Sequence, residues 1–260
     1  MDLGIRGLTA IVTGGASGIG AAVIESLHNE GARTVCWDLT QPSPQSPATL
    51  ALHADITSLH SIQQAWQQTE DSVGPPEILV HCAAVGSGCY GFPYTNVPPA
   101  AWQKVLNVNI LGMANVADVA GRAMVARRRG AMVFLASVAG QMGSPTDPPY
   151  SASKAANINF AQVLAKDLAP SGVRVNTVCP GMVQTPLNKA VWESWNRQQP
   201  PELQQSYEDW ADEKISRVIP LGRWQQPADI AAMIVFLCSP RASEITGQTI
   251  NVDGGCVMHW

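Results

Sequence analysis

Short apolar runs alternate with helical patterns from one end of this chain to the other, and that rhythm constrains the fold more than any single motif. The runs occupy residues 8–12, 34–37, 50–52, 78–80, 131–136, 173–178 and 249–252. They are nearly continuous in apolar residues, as strands covered on both faces are. Helices between successive strands make parallel pairing the expected arrangement, so the predicted class is α/β, a doubly wound parallel sheet with helices on both faces. With 260 residues, 46% hydrophobic and only 14% charged, residues 1–260 can bury one large core, which predicts a single domain.

The first run leads at once into Thr13-Gly14-Gly15-Ala16-Ser17-Gly18-Ile19-Gly20, and a helical pattern follows through Ala21, Val23, Ile24 and Leu27 to Gly31. Glycines between a strand and a helix let backbone approach a pyrophosphate, and the helix N-terminus favours the anion through its free amides. The second run ends in Asp38, where a carboxylate can accept both hydroxyls of an adenosine ribose. The same carboxylate would repel a 2′-phosphate. Neither the turn, with Ala16 and Ser17, nor Leu39-Thr40-Gln41 brings a cation to offset it, and Arg33 stands at the far end of the strand. NAD is the cofactor expected, in preference to NADP.

Ser137 closes the apolar run Ala131-Met132-Val133-Phe134-Leu135-Ala136, and Tyr150-Ser151-Ala152-Ser153-Lys154 follows. Residues four apart on a helix share a face. A free tyrosine, with a pKa near 10, is a poor base at neutral pH, but a neighbouring ammonium would favour its phenolate. Ser137 could then hydrogen-bond a substrate oxygen beside the phenol. Such a pair also occurs as ordinary surface decoration, and the glycine turn upstream is what gives it a chemical partner.

With these motifs the chain resembles the short-chain dehydrogenases/reductases, the type with a Thr-Gly-x-x-x-Gly-x-Gly turn and a Tyr-x-x-x-Lys site, over essentially its whole length. The resemblance implies a Rossmann-type fold and a catalytic set of Asn109, Ser137, Tyr150 and Lys154, with Asn109 holding a water that links Lys154 to solvent. It implies cofactor contacts at Gly14, Ser17, Gly18, Ile19, Gly20, Asp38, Asp55, Ile56, Ala83, Tyr150, Lys154, Pro180, Gly181, Val183 and Thr185. Where the family usually reads Asn-Asn-Ala-Gly, this chain has His81-Cys82-Ala83-Ala84. His81, Cys82 and Cys89 read as a packed imidazole and two small thiols, and no metal is expected, because only one imidazole is present and no C-x-x-C pair accompanies it.

The family's substrate pocket implies a lid at about residues 186–222, carrying Trp192, Trp195, Tyr207 and Trp210, and substrate contacts at Ser137, Gln141, Met142, Asp147 and Trp192. Gln141 and Asp147 would suit a hydroxylated molecule. The lid, Ile219-Pro220-Leu221-Gly222-Arg223 and the ending Gly254-Gly255-Cys256-Val257-Met258-His259-Trp260 are similar to polyol and sugar dehydrogenases of the family. The expected activity is interconversion of a secondary alcohol and a ketone. Reduction of acyl or cyclic ketones with NADH, or a non-catalytic dinucleotide-binding sensor or scaffold, are the alternatives. The complete set of four residues argues against the last.

A net charge of −4 and the absence of a long basic run leave nucleic acid out as an expected partner. Arg127-Arg128-Arg129 falls where a helix running from about residue 101 to 124 ends, and cations there face the carbonyl end of the dipole. No run approaches a membrane span, and residues 1–7, with Asp2 and Arg6, lack a leader's apolar stretch. Six scattered cysteines suit a reducing cytoplasm. A homotetramer is implied by the resemblance, through the helices of Asn109 and Tyr150, where Ala152, Ala155, Ala156, Asn159 and Val163 form a small-residue face.

Overall fold

The computed structural model describes residues 2–258; His259 and Trp260, part of the expected polyol-type ending, lie outside them. Its strands are β1 (Thr9–Thr13), β2 (Arg33–Asp38), β3 (Leu50–His53), β4 (Pro76–His81), β5 (Gly130–Leu135), β6 (Val173–Pro180) and β7 (Thr249–Val252). The helices between them are α1 (Gly18–Asn29), α2 (Leu59–Val73), α3 (Pro99–Leu106), α4 (Gly112–Arg127), α5 (Pro148–Leu168), α6 (Pro186–Asn196), α7 (Tyr207–Val218) and α8 (Pro227–Cys238). The strands form one seven-stranded sheet in the order β3-β2-β1-β4-β5-β6-β7, parallel at every pairing.

The strand alternation divides the core. Ile11, Val35, Trp37, Leu79, Met132, Phe134 and Val175 pack beneath α2, α4 and α5. Their neighbours Ala10, Val12, Cys36, Ile78, Val80, Val133 and Val178 pack beneath α1 and α8 on the opposite face. Side chains that point to opposite faces at successive positions produce this division, and it is why the strands read as unbroken apolar runs. A third cluster joins Trp210, Ala211, Ile215 and Ile219 to Val191, Trp192, Trp195, Tyr207 and Trp224. It holds α6 and α7 together outside the main layers.

The strand order reverses between β1 and β4, so the loops leaving their carboxyl ends diverge and open a crevice. The helix expected over about 101–124 differs in two ways: it is interrupted by a π segment, Asn107–Leu111, and α4 continues to Arg127. There the left-handed Arg128 (φ 53°) caps it, donating to Pro170 O, while Arg127 pairs with Glu70. Among the described residues no helix is long and apolar enough to cross a membrane.

Candidate active site

The crevice is a cavity of about 710 Å³. Its cofactor side is built on two close approaches. A Cβ on Gly14 (φ 66°) would lie 2.8 Å from the backbone of Ala83, and one on Gly20 would lie 2.1 Å from the Gly14 carbonyl oxygen. The first glycine lets the exits of β1 and β4 touch, and the last seats α1 on the turn. Ser17 is the N-cap of α1, its side chain makes no capping bond, and no acid stands in the first turn, so the leading amides remain available to an anion.

Asp38 closes this side. Its Oδ2 accepts from the Ala16 N–H at 3.1 Å and its Oδ1 from the Thr40 N–H and hydroxyl, both at 3.0 Å. Gly14, Ser17, Gly18, Ile19, Gly20, Asp38, Asp55, Ile56, Ala83, Tyr150, Lys154, Pro180, Gly181, Val183 and Thr185 all line the one cavity. A cradle that a single Cβ would fill, an uncapped helix N-terminus and a carboxylate at the end of β2 fit a nicotinamide dinucleotide.

The reacting side comes from β5 and α5. Two residues beyond β5, Ser137 starts a tight turn in which its Oγ accepts from the Ala139 N–H at 3.1 Å. A Cβ on Gly140 would sit 2.6 Å from the backbone of Lys154, so this turn lies directly against α5. Asp147 is the N-cap of α5, accepting from the Tyr150 N–H at 3.4 Å, and a proline follows it; both features fix where the helix starts. Tyr150 and Lys154 therefore share a face. The Lys154 ammonium lies 5.4 Å from the centroid of the Tyr150 ring, and Ser137 hydrogen-bonds the phenol.

Burial shapes the electrostatics of this group. It pushes the Tyr150 phenol above its ordinary range, against the opposing hydrogen bond from Ser137. Desolvation sets this net direction, with Asp147 and Cys179 adding to it; the Lys154 ammonium, 5.4 Å from the ring centroid, stands where a cation favours the phenolate. Lys154 is itself brought down to about 8 by burial and donates to the Leu135 carbonyl at 2.7 Å. Cys82 and Cys179 are pushed up to about 12 by burial, so both stay thiols. His81 is driven down to about 3 by burial and then by Lys154; its Nδ1 bonds the Thr13 hydroxyl at 2.9 Å, and the Ala83 N–H donates to that hydroxyl at 3.3 Å. The imidazole thus supports the loop in place of an amide.

Asn109 sits in the π segment, buried. Its Nδ2 donates to Val85 O and to Ser153 Oγ, both at 2.9 Å, and its Oδ1 accepts from Val85 N–H at 2.9 Å. With both amide hydrogens spent, its side chain is a clamp on the loop after β4. Its backbone carbonyl accepts from Asn157 Nδ2 at 2.7 Å.

Of the expected substrate contacts, Ser137 and Asp147 line the cavity. Asp147 Oδ2 also accepts from the Ser87 N–H at 2.8 Å, and burial raises its carboxyl pKa. Three others are not among the described lining residues. Gln141 exchanges amide hydrogen bonds with Asn251 at 2.8 and 2.9 Å. Met142 lies half exposed on the outside. Trp192 donates to Gln205 O at 3.2 Å and packs on Tyr207, filling the third cluster. In their place α6 and α7 contribute Asn188, Val191, Trp210 and Lys214, and α3 contributes Lys104. The i, i+4 spacing of Trp210 and Lys214 could have signalled a shared face.

A family model described as "Enoyl-(Acyl carrier protein) reductase" matches residues 14–257. The chain is 33% identical over 255 residues to an acetoacetyl-CoA reductase of Synechocystis sp., covering 98% of each. It is 32% identical over 260 residues to an NAD-dependent glycerol dehydrogenase of Listeria innocua, covering 98% of this chain and 95% of the other. Among solved structures it resembles a tryptophan-substituted variant of actinorhodin polyketide ketoreductase with NADPH, at a TM-score of 0.85 and 30% identity, over 96% of this chain and 97% of that one.

Proposed function

The chain belongs to the short-chain dehydrogenase/reductase family, and from that premise we propose that it is an NAD-dependent oxidoreductase interconverting a secondary alcohol and a ketone on a polyol, sugar or other hydroxylated small molecule. The observation that carries this reading is the placement of Ser137, Tyr150 and Lys154 together in the cavity that the glycine turn opens. When bound, the dinucleotide supplies or accepts the hydride. Tyr150 moves the proton: its phenol gives a proton to the ketone oxygen in reduction, and its phenolate takes the hydroxyl proton in oxidation. Ser137 orients the substrate oxygen beside that phenol. Lys154 binds the cofactor's ribose and supplies the cation nearest the phenolate. Asn109 holds the loop after β4 in register.

NAD is favoured by Asp38, whose carboxylate lines the cavity without a cation on Ala16, Ser17 or Leu39. The glycerol dehydrogenase relative agrees with that preference and with a hydroxylated substrate. A second direction, NADH-dependent reduction of acyl or cyclic ketones, is favoured by the likeness to the acetoacetyl-CoA reductase and by the family model described as an enoyl-(acyl carrier protein) reductase.

We further propose one catalytic domain with residues 186–222 as a lid over the substrate. A homotetramer would cover the exposed Ala152, Ala155, Asn159 and Val163 of α5, and the cysteines, unpaired among the described residues, agree with a cytoplasmic location. The test follows NADH absorbance with NAD and a panel of polyols, sugars, hydroxy acids and cyclic alcohols, and with NADH and matched ketones, beside Tyr150→Phe. Turnover that disappears in the variant supports the reading. Turnover that persists in it would overturn the assignment of Tyr150.

A further inference from the structure

Lys214 stands one turn after Trp210 on α7, and both line the cavity that contains Ser137 and Tyr150. Its ammonium lies 4.1 Å from the centroid of the Trp210 ring. Among the described residues it has no ion-pair partner within reach and donates no hydrogen bond. The neighbouring acid Glu213 is already bound by Arg217 at 2.8 Å and by Gln205 Nε2 at 2.8 Å, and residues adjacent in sequence on a helix do not face one another. The other acids of this helix are also placed elsewhere: Asp209 accepts from the Ser206 hydroxyl at the N-terminus, and Glu208 and Asp212 are exposed.

An ammonium held against an aromatic face with no salt bridge of its own has lost hydration that the nearby Glu213, engaged by Arg217 and Gln205, offsets only in part. Burial accordingly draws Lys214 down to about 8. The two other lysines of the cavity are placed differently: Lys154 donates to the Leu135 carbonyl, and Lys104 lies in the last turn of α3. On the side of α6 and α7 the same cavity is lined by Val191, Trp210, Val218 and Ile219, which offer apolar contact.

We propose that Lys214 recognises an anionic group, a carboxylate or a phosphate monoester, on the alcohol or ketone that reacts at Tyr150. Trp210 packs against the stem that joins the two ends. The specificity determinant is then charge at one end of the substrate and a hydroxyl or ketone at the other, so the molecules concerned are hydroxy acids or phosphorylated polyols and sugars. This rests on the oxidoreductase reading of the same cavity.

Three matched alcohols test it with NAD: β-hydroxybutyrate, the diol in which its carboxylate is reduced to a hydroxymethyl group, and the phosphate monoester of that diol on the new hydroxyl. The wild-type protein is expected to favour one of the anions over the diol by at least about tenfold in kcat/KM, and which anion wins separates the two sources. Lys214→Met should lower that ratio by about tenfold or more, chiefly through KM, and Lys214→Arg should largely keep it. A ratio near one, or one unmoved in Lys214→Met, overturns the proposal. Tryptophan fluorescence of the NADH complex, titrated with malonate and with inorganic phosphate, reads the site without turnover. Saturable quenching that is lost in Lys214→Met supports the anion site, and its absence counts against it. Such quenching together with silence across every alcohol and ketone would leave the anion site standing and sink the oxidoreductase reading.

Discussion

Asn109 and Val85 are joined at both ends of one peptide unit's worth of hydrogen bonding, the amide of the first donating to the carbonyl of the second and accepting from its N–H, each at 2.9 Å. The same amide reaches Ser153 on α5, so the exit of β4 and the helix of Tyr150 are referred to a single side chain.

Asn109→Ala should therefore cost stability before it costs chemistry. It strands the N–H and carbonyl of Val85, groups worth roughly 1–3 kcal/mol each when buried without partners, while the Ser153 hydroxyl keeps its bond to the Tyr150 carbonyl. With water reaching part of the gap, a loss of about 3 kcal/mol and a fall in Tm of roughly 6–12 °C is expected. Thermal melting with and without NADH checks this, and an unchanged melting curve removes the clamp.

Tyr150→Phe should lower kcat by about 100- to 10,000-fold in both directions, with NADH binding kept within about threefold. The wild-type phenol, held above its ordinary range by burial, should stay protonated through about pH 10 in the ligand-free protein. An ultraviolet difference titration of wild type against Tyr150→Phe measures it; a tyrosine signal appearing well below that pH would contradict the burial argument.

Cofactor preference is expected to pivot on Asp38. Asp38→Ala removes the repulsion toward a 2′-phosphate and the acceptors for Ala16 and Thr40, so kcat/KM for NAD should fall and its ratio to that for NADP should drop by about tenfold or more. Steady-state kinetics with both cofactors decides the matter, and an NADP preference already present in the wild type would refute the role given to the carboxylate.

His81 should make the fold acid-sensitive. In the unfolded chain a histidine takes up a proton near pH 6.5, whereas in the folded protein burial postpones this to about 3. Below 6.5 the unfolded state binds the extra proton, so the contribution is intact above that pH and is lost as the pH falls toward 3, by up to about 1.4 kcal/mol per pH unit. Between pH 7 and pH 5 the wild type should lose about 2 kcal/mol more than His81→Asn in urea unfolding. Parallel losses in the two proteins would exclude His81 as the cause.

Much of this was legible in the sequence, because the glycine turn, the strand rhythm and the Tyr-x-x-x-Lys spacing are local patterns. Gly14, Asp38, Tyr150 and Lys154 meet in one cavity as their spacing predicts. What escaped depends on partners distant along the chain. Gln141 is turned from the cavity by Asn251, 110 positions away, and nothing near it announces that pairing. Trp192 was an equally good substrate face until Tyr207 and Gln205 claimed it. The net upward shift at Tyr150 escaped because the depth of burial that causes it is not visible in sequence.

The π segment makes the site depend on a count of residues as well as on their kinds. Five residues at Asn107–Leu111 widen one turn, and removing a single residue there would let a regular α-helix close and swing Asn109 about 100° around the axis, away from Val85. Most surface helices tolerate a lost residue by fraying at an end. This one is pinned on both sides, by α3 before it and by the seat of Gly112 on Ile56 after it. Substitutions can drift across its outer face, but its length is held as part of the reading frame of the active site.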